Sequence, residues 1–276
     1  MTRIAIIGAG GKMGFRTSEN LLATGFAVAH VEPSEAGRKR LEGIGITPVS
    51  TEEALADSDV VILTVPDNRI GSVSQDIVPA MKSGSTLIVL DAAAPYAGKV
   101  ALRKDISAVA CHPCHPPVFS DEVETAAQHD YFGGIAAKQD VVIAMISGTD
   151  ADYDRAEPIV RAMFSPVRDS FRITVDNMVL LEPVLAETTA ATCITIIREA
   201  TDEAISRGVP ADAAFAFILG HIRVELAILF DQIGSPFSDG AIKAINSARD
   251  ILFQPDWKRV FDDDNIRASV AEIVAE

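Results

Sequence analysis

Residues able to do chemistry crowd into one short stretch, Cys111-His112-Pro113-Cys114-His115-Pro116-Pro117. A histidine titrates near neutral pH, so His112 or His115 can take a proton from a hydroxyl, and either can ligate a metal. Cys-His-Pro-Cys-His matches the pattern that attaches c-type haem, but that attachment belongs to exported chains. A structural zinc centre needs two more ligands at suitable spacing, and Cys193 is the only other cysteine in the sequence. A redox Cys-x-x-Cys opens a helix, which three prolines oppose. Two readings stay open: a pair of histidines that finish a strand with ordinary hydrogen bonds, or one of them, His112 or His115, turned toward a substrate.

A second concentration opens the chain. Ile4 to Ile7 are an apolar run long enough for one buried strand. It stops at Gly8, and Gly10, Gly11 and Gly14, with Lys12 and Met13 between them, lead into a helix that Gly25 ends. Strand, glycine turn and helix start together make an anion cradle, because backbone N–H groups and the positive end of the helix dipole meet a phosphate there. Another apolar run ends in Glu32, close to the roughly 20-residue spacing of the acid that binds an adenosine ribose. A carboxylate at that place favours NAD over NADP. Arg38 and Lys39 follow closely, and NADP stays a second choice. The glycine spacing is one residue longer than the standard G-x-G-x-x-G.

The elements that must position these residues follow in order. A helix is expected over 34–42, a short strand over 46–49 and a helix start at 50–56. Val60 to Val65 reads as a buried parallel strand that breaks at Pro66-Asp67-Asn68. Loops at strand C-termini line the crevice of a doubly wound sheet, so Pro66, Asp67 and Asn68 are expected beside the cofactor. A helix over 70–81 and strands over 86–90 and 106–110 come next. A polar loop over 120–130, a strand at 141–147, a helix at 150–163 and a strand at 171–175 then complete the sheet. From Asn177 the pattern turns to nearly continuous helix, roughly 178–207, 211–231, 237–253 and 265–275. The expectation is an α/β fold: an N-terminal Rossmann doubly wound parallel sheet (1–176, NAD-binding) followed by an all-α C-terminal domain (177–276, for substrate and dimerisation). The first long helix would span about 45 Å at 1.5 Å per residue. Its small and apolar residues predict burial all round, partly against a second copy in a homodimer.

Composition bounds the partners. A formal net charge of −15 argues against nucleic acid or an anionic membrane and suits a small-molecule substrate. The first core strand begins within a few residues of Met1, so no signal peptide is expected, and no uncharged apolar run reaches 18 residues. A cytoplasmic location is expected.

The glycine loop, Glu32, Val65-Pro66-Asp67-Asn68 and the long helix opening an all-α second half resemble the β-hydroxyacid and 6-phosphogluconate dehydrogenase superfamily. Within it, the Cys-His-Pro-Cys-His-Pro-Pro segment and Leu181-Glu182-Pro183 are similar to the D-apionate oxidoisomerase group. The resemblance implies NAD-dependent oxidation of a small, branched polyhydroxy carboxylic acid, coupled to rearrangement of its carbon skeleton. Classical members carry a catalytic lysine on the long helix, followed four residues later by an asparagine. No lysine stands between Asn177 and Arg207 here, so another group must do that work.

Two roles are open for the candidates. A histidine, His112 or His115, can act as general base, or His115 and Glu182 can hold a divalent metal (zinc, or magnesium or manganese) that bridges substrate oxygens. Glu182 is preferred over Glu187 because it lies near the expected helix start; the two sit about 140° apart on an α-helix and cannot both face one ion. Its alternative is a first-turn carboxylate answering the helix dipole. His221 and Glu225 share a helix face and read as a buried structural pair, or as groups completing the site. Arg198 and Arg223 can bind a substrate carboxylate or pair with nearby acids. A simple β-hydroxyacid dehydrogenase or imine reductase without skeletal change, and a non-catalytic NAD-sensing protein, are the competing functions.

Overall fold

The computed structural model describes residues 1–275. Seven strands form one sheet in the order β2-β1-β3-β4-β5-β6-β7: β1 (Arg3–Ile7), β2 (Ala27–Val31), β3 (Val60–Leu63), β4 (Thr86–Val89), β5 (Ser107–Pro113), β6 (Gln139–Ser147) and β7 (Val167–Ile173). All neighbours are parallel except β5 and β6. The register sets Ile6 opposite Ile62, Ile62 opposite Ile88 and Ile88 opposite Val109, all fully buried. That is why these strands read as unbroken apolar runs.

Helices α1 (Lys12–Leu22), α2 (Glu35–Glu42), α3 (Thr51–Ala56), α4 (Asp67–Ile77), α5 (Ala93–Tyr96), α6 (Thr125–Gln128) and α7 (Asp150–Met163) connect them. Helices α1 and α7 share a core with β1, through Leu21, Ala156, Val160 and Met163. Asn20 Nδ2 also donates to the Met163 carbonyl at 2.9 Å.

The strand expected at 46–49 is absent. The Ile46 N–H turns back to Leu41 O, Pro48 has no N–H to give, and only Val49 N–H reaches His30 O at 2.9 Å. Strands β2-β1-β3-β4-β5 therefore follow the 3-2-1-4-5-6 order without its outer strand, and antiparallel β6 and then β7 extend the sheet beyond it. Strand β5 runs past the expected end at Ala110, because antiparallel β6 pairs Cys111 with Ile143, His112 with Val142 and Pro113 with Val141. Helix α4 begins at Asp67 rather than Ile70, and a short helix, α6, occupies part of the expected loop.

A continuous helix runs from Val175 to Ser206: α8 (Val175–Val179), a π-helical stretch (Leu180–Ala191) and α9 (Thr192–Ser206). Then come α10 (Ala211–Leu229), α11 (Asp239–Leu252) and α12 (Asp263–Ile273). The chain parts into two compact units, 1–181 with 267–276, and 182–266. Compared with a division at 176/177, the boundary lies at 181/182 and α12 from Arg267 onward groups with the sheet unit, with Val270 and Val274 buried and the Val274 carbonyl accepting from Lys99 Nζ at 3.0 Å.

Burial all round the first long helix is not reached within the one chain: Leu181, Leu185 and Ile194 are exposed along it. The helix from Val175 to Ser206 has the length and apolar character of a membrane span by composition, with 11% of its most apolar window buried.

Candidate active site

The glycine loop has the backbone geometry of a phosphate cradle. Gly8 takes φ +86°, closed to most side chains, and Gly8 and Ala9 both donate their N–H to Val31 O, at 2.9 and 3.0 Å. A Cβ on Gly10 would lie 2.5 Å from Gly37 Cα, so the loop packs directly on the start of α2. Gly14 allows the first turn of α1 to rest on Gly8 O and Thr64. Gly11 is the N-cap of α1 and no side chain caps that helix. Its first helical bond is Phe15 N–H to Gly11 O, which leaves the amides of Lys12, Met13 and Gly14 at the positive end of the helix dipole for an anion.

Glu32 is buried at the end of β2. Its Oε2 accepts the Gly10 N–H at 2.8 Å, and its Oε1 accepts the Ser34 N–H at 2.9 Å and Ser34 Oγ at 2.6 Å. Arg40 donates to the Gly10 carbonyl at 2.9 Å. The carboxylate expected at a ribose thus also holds the glycine loop in shape.

The ends of β3, β4 and β5 supply the titratable groups. Pro66 is the N-cap of α4, with Asp67 and Asn68 in its first turn. Burial of the Asp67 carboxyl and the negative charge of Asp91 push its pKa up to about 6, against the opposing pull of His112. Asp91 is buried and accepts the Ala93 N–H. It lies at the C-terminal end of a parallel strand just as Asp67 does, and the rule that singled out Asp67 applies to it equally.

His112 and His115 meet edge to face with ring centroids 5.9 Å apart. The His112 Nδ1 faces Pro113 O at 2.8 Å and the His115 Nδ1 faces Phe132 O at 2.9 Å. A carbonyl oxygen only accepts, so Nδ1 carries the proton in both rings and the basic lone pair of the neutral imidazole is on Nε2. His115 holds a left-handed backbone, φ +60°. Cys111 is fully buried against Val89 O and burial raises its thiol pKa, as it does, with Asp140, for Cys114. All three cysteines are free thiols, and the Cys-x-x-Cys lies on strand β5 and its end, not on a helix.

Three expectations change along the helices from Val175 onward. Helix α8 starts at Thr174, capped by its own hydroxyl on the Asn177 N–H, and Asp176 is its first-turn acid, so Glu182 lies well inside the helix, in the π-helical stretch. There Thr188 and Thr189 hydroxyls reach back five residues to Pro183 O and Val184 O. Residues five apart follow one another along a π-helix, so Glu182 and Glu187 share a face, unlike the 140° expected of an α-helix. His221 and Glu225 are exposed rather than buried; His221 Nδ1 bonds Phe217 O at 2.8 Å within its own helix. Arg198 pairs with Asp202 at 2.9 Å. Among the described residues no three His, Cys, Asp or Glu side chains gather as a metal-holding group.

Comparison with known proteins fixes the family. Residues 120–274 match the model of the phosphogluconate dehydrogenase (decarboxylating) C-terminal domain, and residues 3–95 match that of the coenzyme F420-dependent NADP oxidoreductases. The chain is 46% identical to a D-apionate oxidoisomerase of Cupriavidus necator over 272 residues, 98% of this chain and 99% of that one. It is 44% identical to a D-apionate oxidoisomerase of Rhizobium rhizogenes, across 99% of this chain and 100% of the relative. The chain belongs to the D-apionate oxidoisomerase family.

A solved structure of a semialdehyde dehydrogenase NAD-binding protein from Cupriavidus necator, in complex with calcium and NAD, matches this family member with a TM-score of 0.97. The two are 45% identical across 99% of each chain. The Rossmann-type sheet and helical C-terminal region inferred from sequence are therefore those of an NAD-dependent oxidoisomerase family.

Proposed function

We propose that this chain binds NAD in the glycine cradle and oxidises D-apionate, or a branched polyhydroxy acid of the same kind, with rearrangement of the carbon skeleton. The observation that carries the reading is the near-full-length identity with curated D-apionate oxidoisomerases. Bound NAD accepts a hydride from the substrate carbinol carbon. The amides of Lys12, Met13 and Gly14 would face its pyrophosphate, and Glu32, besides shaping Gly10, lies at the ribose position. Pro66, Asp67 and Asn68 border the crevice where the nicotinamide would lie. His112, with its basic lone pair on Nε2, takes the hydroxyl proton as the hydride leaves, so the alcohol becomes a carbonyl and the ring an imidazolium.

A divalent cation, with His115 or Glu182 among its donors, is the other route to polarising the substrate. Among the described residues the donor set argues for less than a full protein-made centre. The broad exposed apolar faces of α10 and α11 support a homodimer. The acidic charge supports a small-molecule enzyme without nucleic-acid or membrane partners, and three free thiols support a cytoplasmic location.

The test is incubation of the purified protein with NAD and 13C-labelled D-apionate, following NADH by absorbance and carbon connectivity by NMR. NADH together with an altered skeleton is the expected result. NADH with the skeleton unchanged would make the chain a simple dehydrogenase, and absence of both NADH and rearrangement would overturn the substrate assignment.

A further inference from the structure

The first two turns of α1 carry a charge pattern that the helix itself disfavours. Lys12 and Arg16 stand four residues apart on one face, at the end where the helix dipole is positive, and the first turn has no acid. In a chain of net charge −15, that pairing is unexpected unless an anion comes between the two cations. The loop after β5 meets both. The Phe132 ring lies 4.0 Å from Lys12 Nζ and 5.2 Å from the Arg16 guanidinium carbon, and Arg16 Nη1 donates to Gly133 O at 3.3 Å.

That loop is held in shape. His115 bonds the Phe132 carbonyl, and buried Asp130 accepts the N–H groups of Ile135, Ala136 and Ala137 on a single oxygen, at 3.0, 2.9 and 3.2 Å. Gly133 and Gly134 take left-handed conformations, φ +72° and +82°, that turn the chain back over α1.

We propose that Arg16 and Phe132 are cofactor-positioning residues: the Phe132 face seats the Lys12 ammonium and the Arg16 guanidinium together, so that both cations meet the dinucleotide's pyrophosphate at the start of α1. The inference rests on the dinucleotide reading of the glycine cradle. The ring's negative face offsets the repulsion between the two cations while the site awaits its anion.

The experiment is fluorescence titration of NADH, with ADP-ribose as a competitor that keeps the pyrophosphate but lacks nicotinamide. The proteins compared are wild type, Phe132→Leu, Phe132→Tyr and Arg16→Met, each checked for folding by thermal melting. Phe132→Leu is expected to raise the NADH and ADP-ribose Kd about two- to fivefold, as for loss of an exposed cation–π contact. Arg16→Met should raise them about tenfold, as for loss of a charge-assisted bond. Phe132→Tyr keeps the π face and should restore the affinity. Folded Phe132→Leu and Arg16→Met proteins that bind NADH as wild type does would overturn the inference. So would a rise confined to the KM of the hydroxy acid, which would give the cations to the substrate carboxylate. A wild-type protein that does not bind NADH would instead overturn the dinucleotide reading itself.

Discussion

Glu32 and Gly10, 22 residues apart, are joined by a buried hydrogen bond in which the Glu32 Oε2 accepts the Gly10 N–H at 2.8 Å. The other carboxylate oxygen takes the N–H and hydroxyl of Ser34, so both oxygens are acceptors. Glu32→Gln replaces one of them with an NH2 group that must face a backbone N–H. A buried donor then loses its acceptor, a cost of about 1–3 kcal/mol. A lowered chemical-denaturation midpoint and a raised KM for NAD are expected together. An unchanged midpoint would mean that Glu32 serves the ribose alone.

Gly10 and Gly37 make the same point by close approach. A methyl on Gly10 would meet Gly37 backbone atoms at 2.5 to 2.6 Å, and one on Gly37 would meet the Glu32 carboxylate carbon at 2.5 Å. Each alanine variant should destabilise the chain by about 1–3 kcal/mol as overpacking and weaken NADH binding. Because both displace the same loop, the double variant should lose less than the sum. Strict additivity in denaturation and NADH titration would show that the two glycines act independently.

How much of this was legible follows from where the signals lie. β1, β3 and β4 are buried on both faces between helices, so each is a run of apolar residues stopped by turn residues. The glycine loop was legible because its conformation and close contacts require glycine itself. The end of β5 was not: Cys111-His-Pro looks like a loop, and its pairing comes from β6, some 30 residues later. The π-helical winding around Glu182 has only Pro183 as a local hint, so an α-helical angle separated two carboxylates that the winding aligns. Asp91 was within reach of the strand-end rule, whereas Phe132 becomes significant only through its tertiary contact with Lys12.

Asp67 gives the chain a titration in the physiological range. Its folded-state pKa of about 6 lies above the ordinary 3.8, so its contribution to stability is fully present below pH 3.8 and is lost as pH rises through about 6. Asp67→Asn removes that loss. Melting temperatures across this window should fall less steeply with pH in the variant than in wild type. The kcat/KM profile should also lose an ionisation near pH 6 if the carboxylate borders the nicotinamide. Parallel melting curves for the two proteins would contradict the crowded setting beside Asp91.

His112 and a bound cation predict different behaviour in a pair of measurements. If Nε2 of His112 takes the substrate proton, His112→Asn should lower turnover by about 100- to 10,000-fold while leaving NADH affinity near wild type, and chelation should leave wild-type turnover intact. If a divalent ion with His115 or Glu182 as a donor polarises the substrate, chelation should abolish turnover and added zinc, magnesium or manganese should restore it. His115→Ala or Glu182→Ala should then remove the bound metal measured by elemental mass spectrometry. His115 also anchors the loop through Phe132 O, so His115→Ala should weaken NADH binding on either scheme. Glu182→Ala is therefore the cleaner discriminator: loss of metal with NADH affinity retained assigns the carboxylate to the ion, and a full turnover rate in that variant removes it from the mechanism.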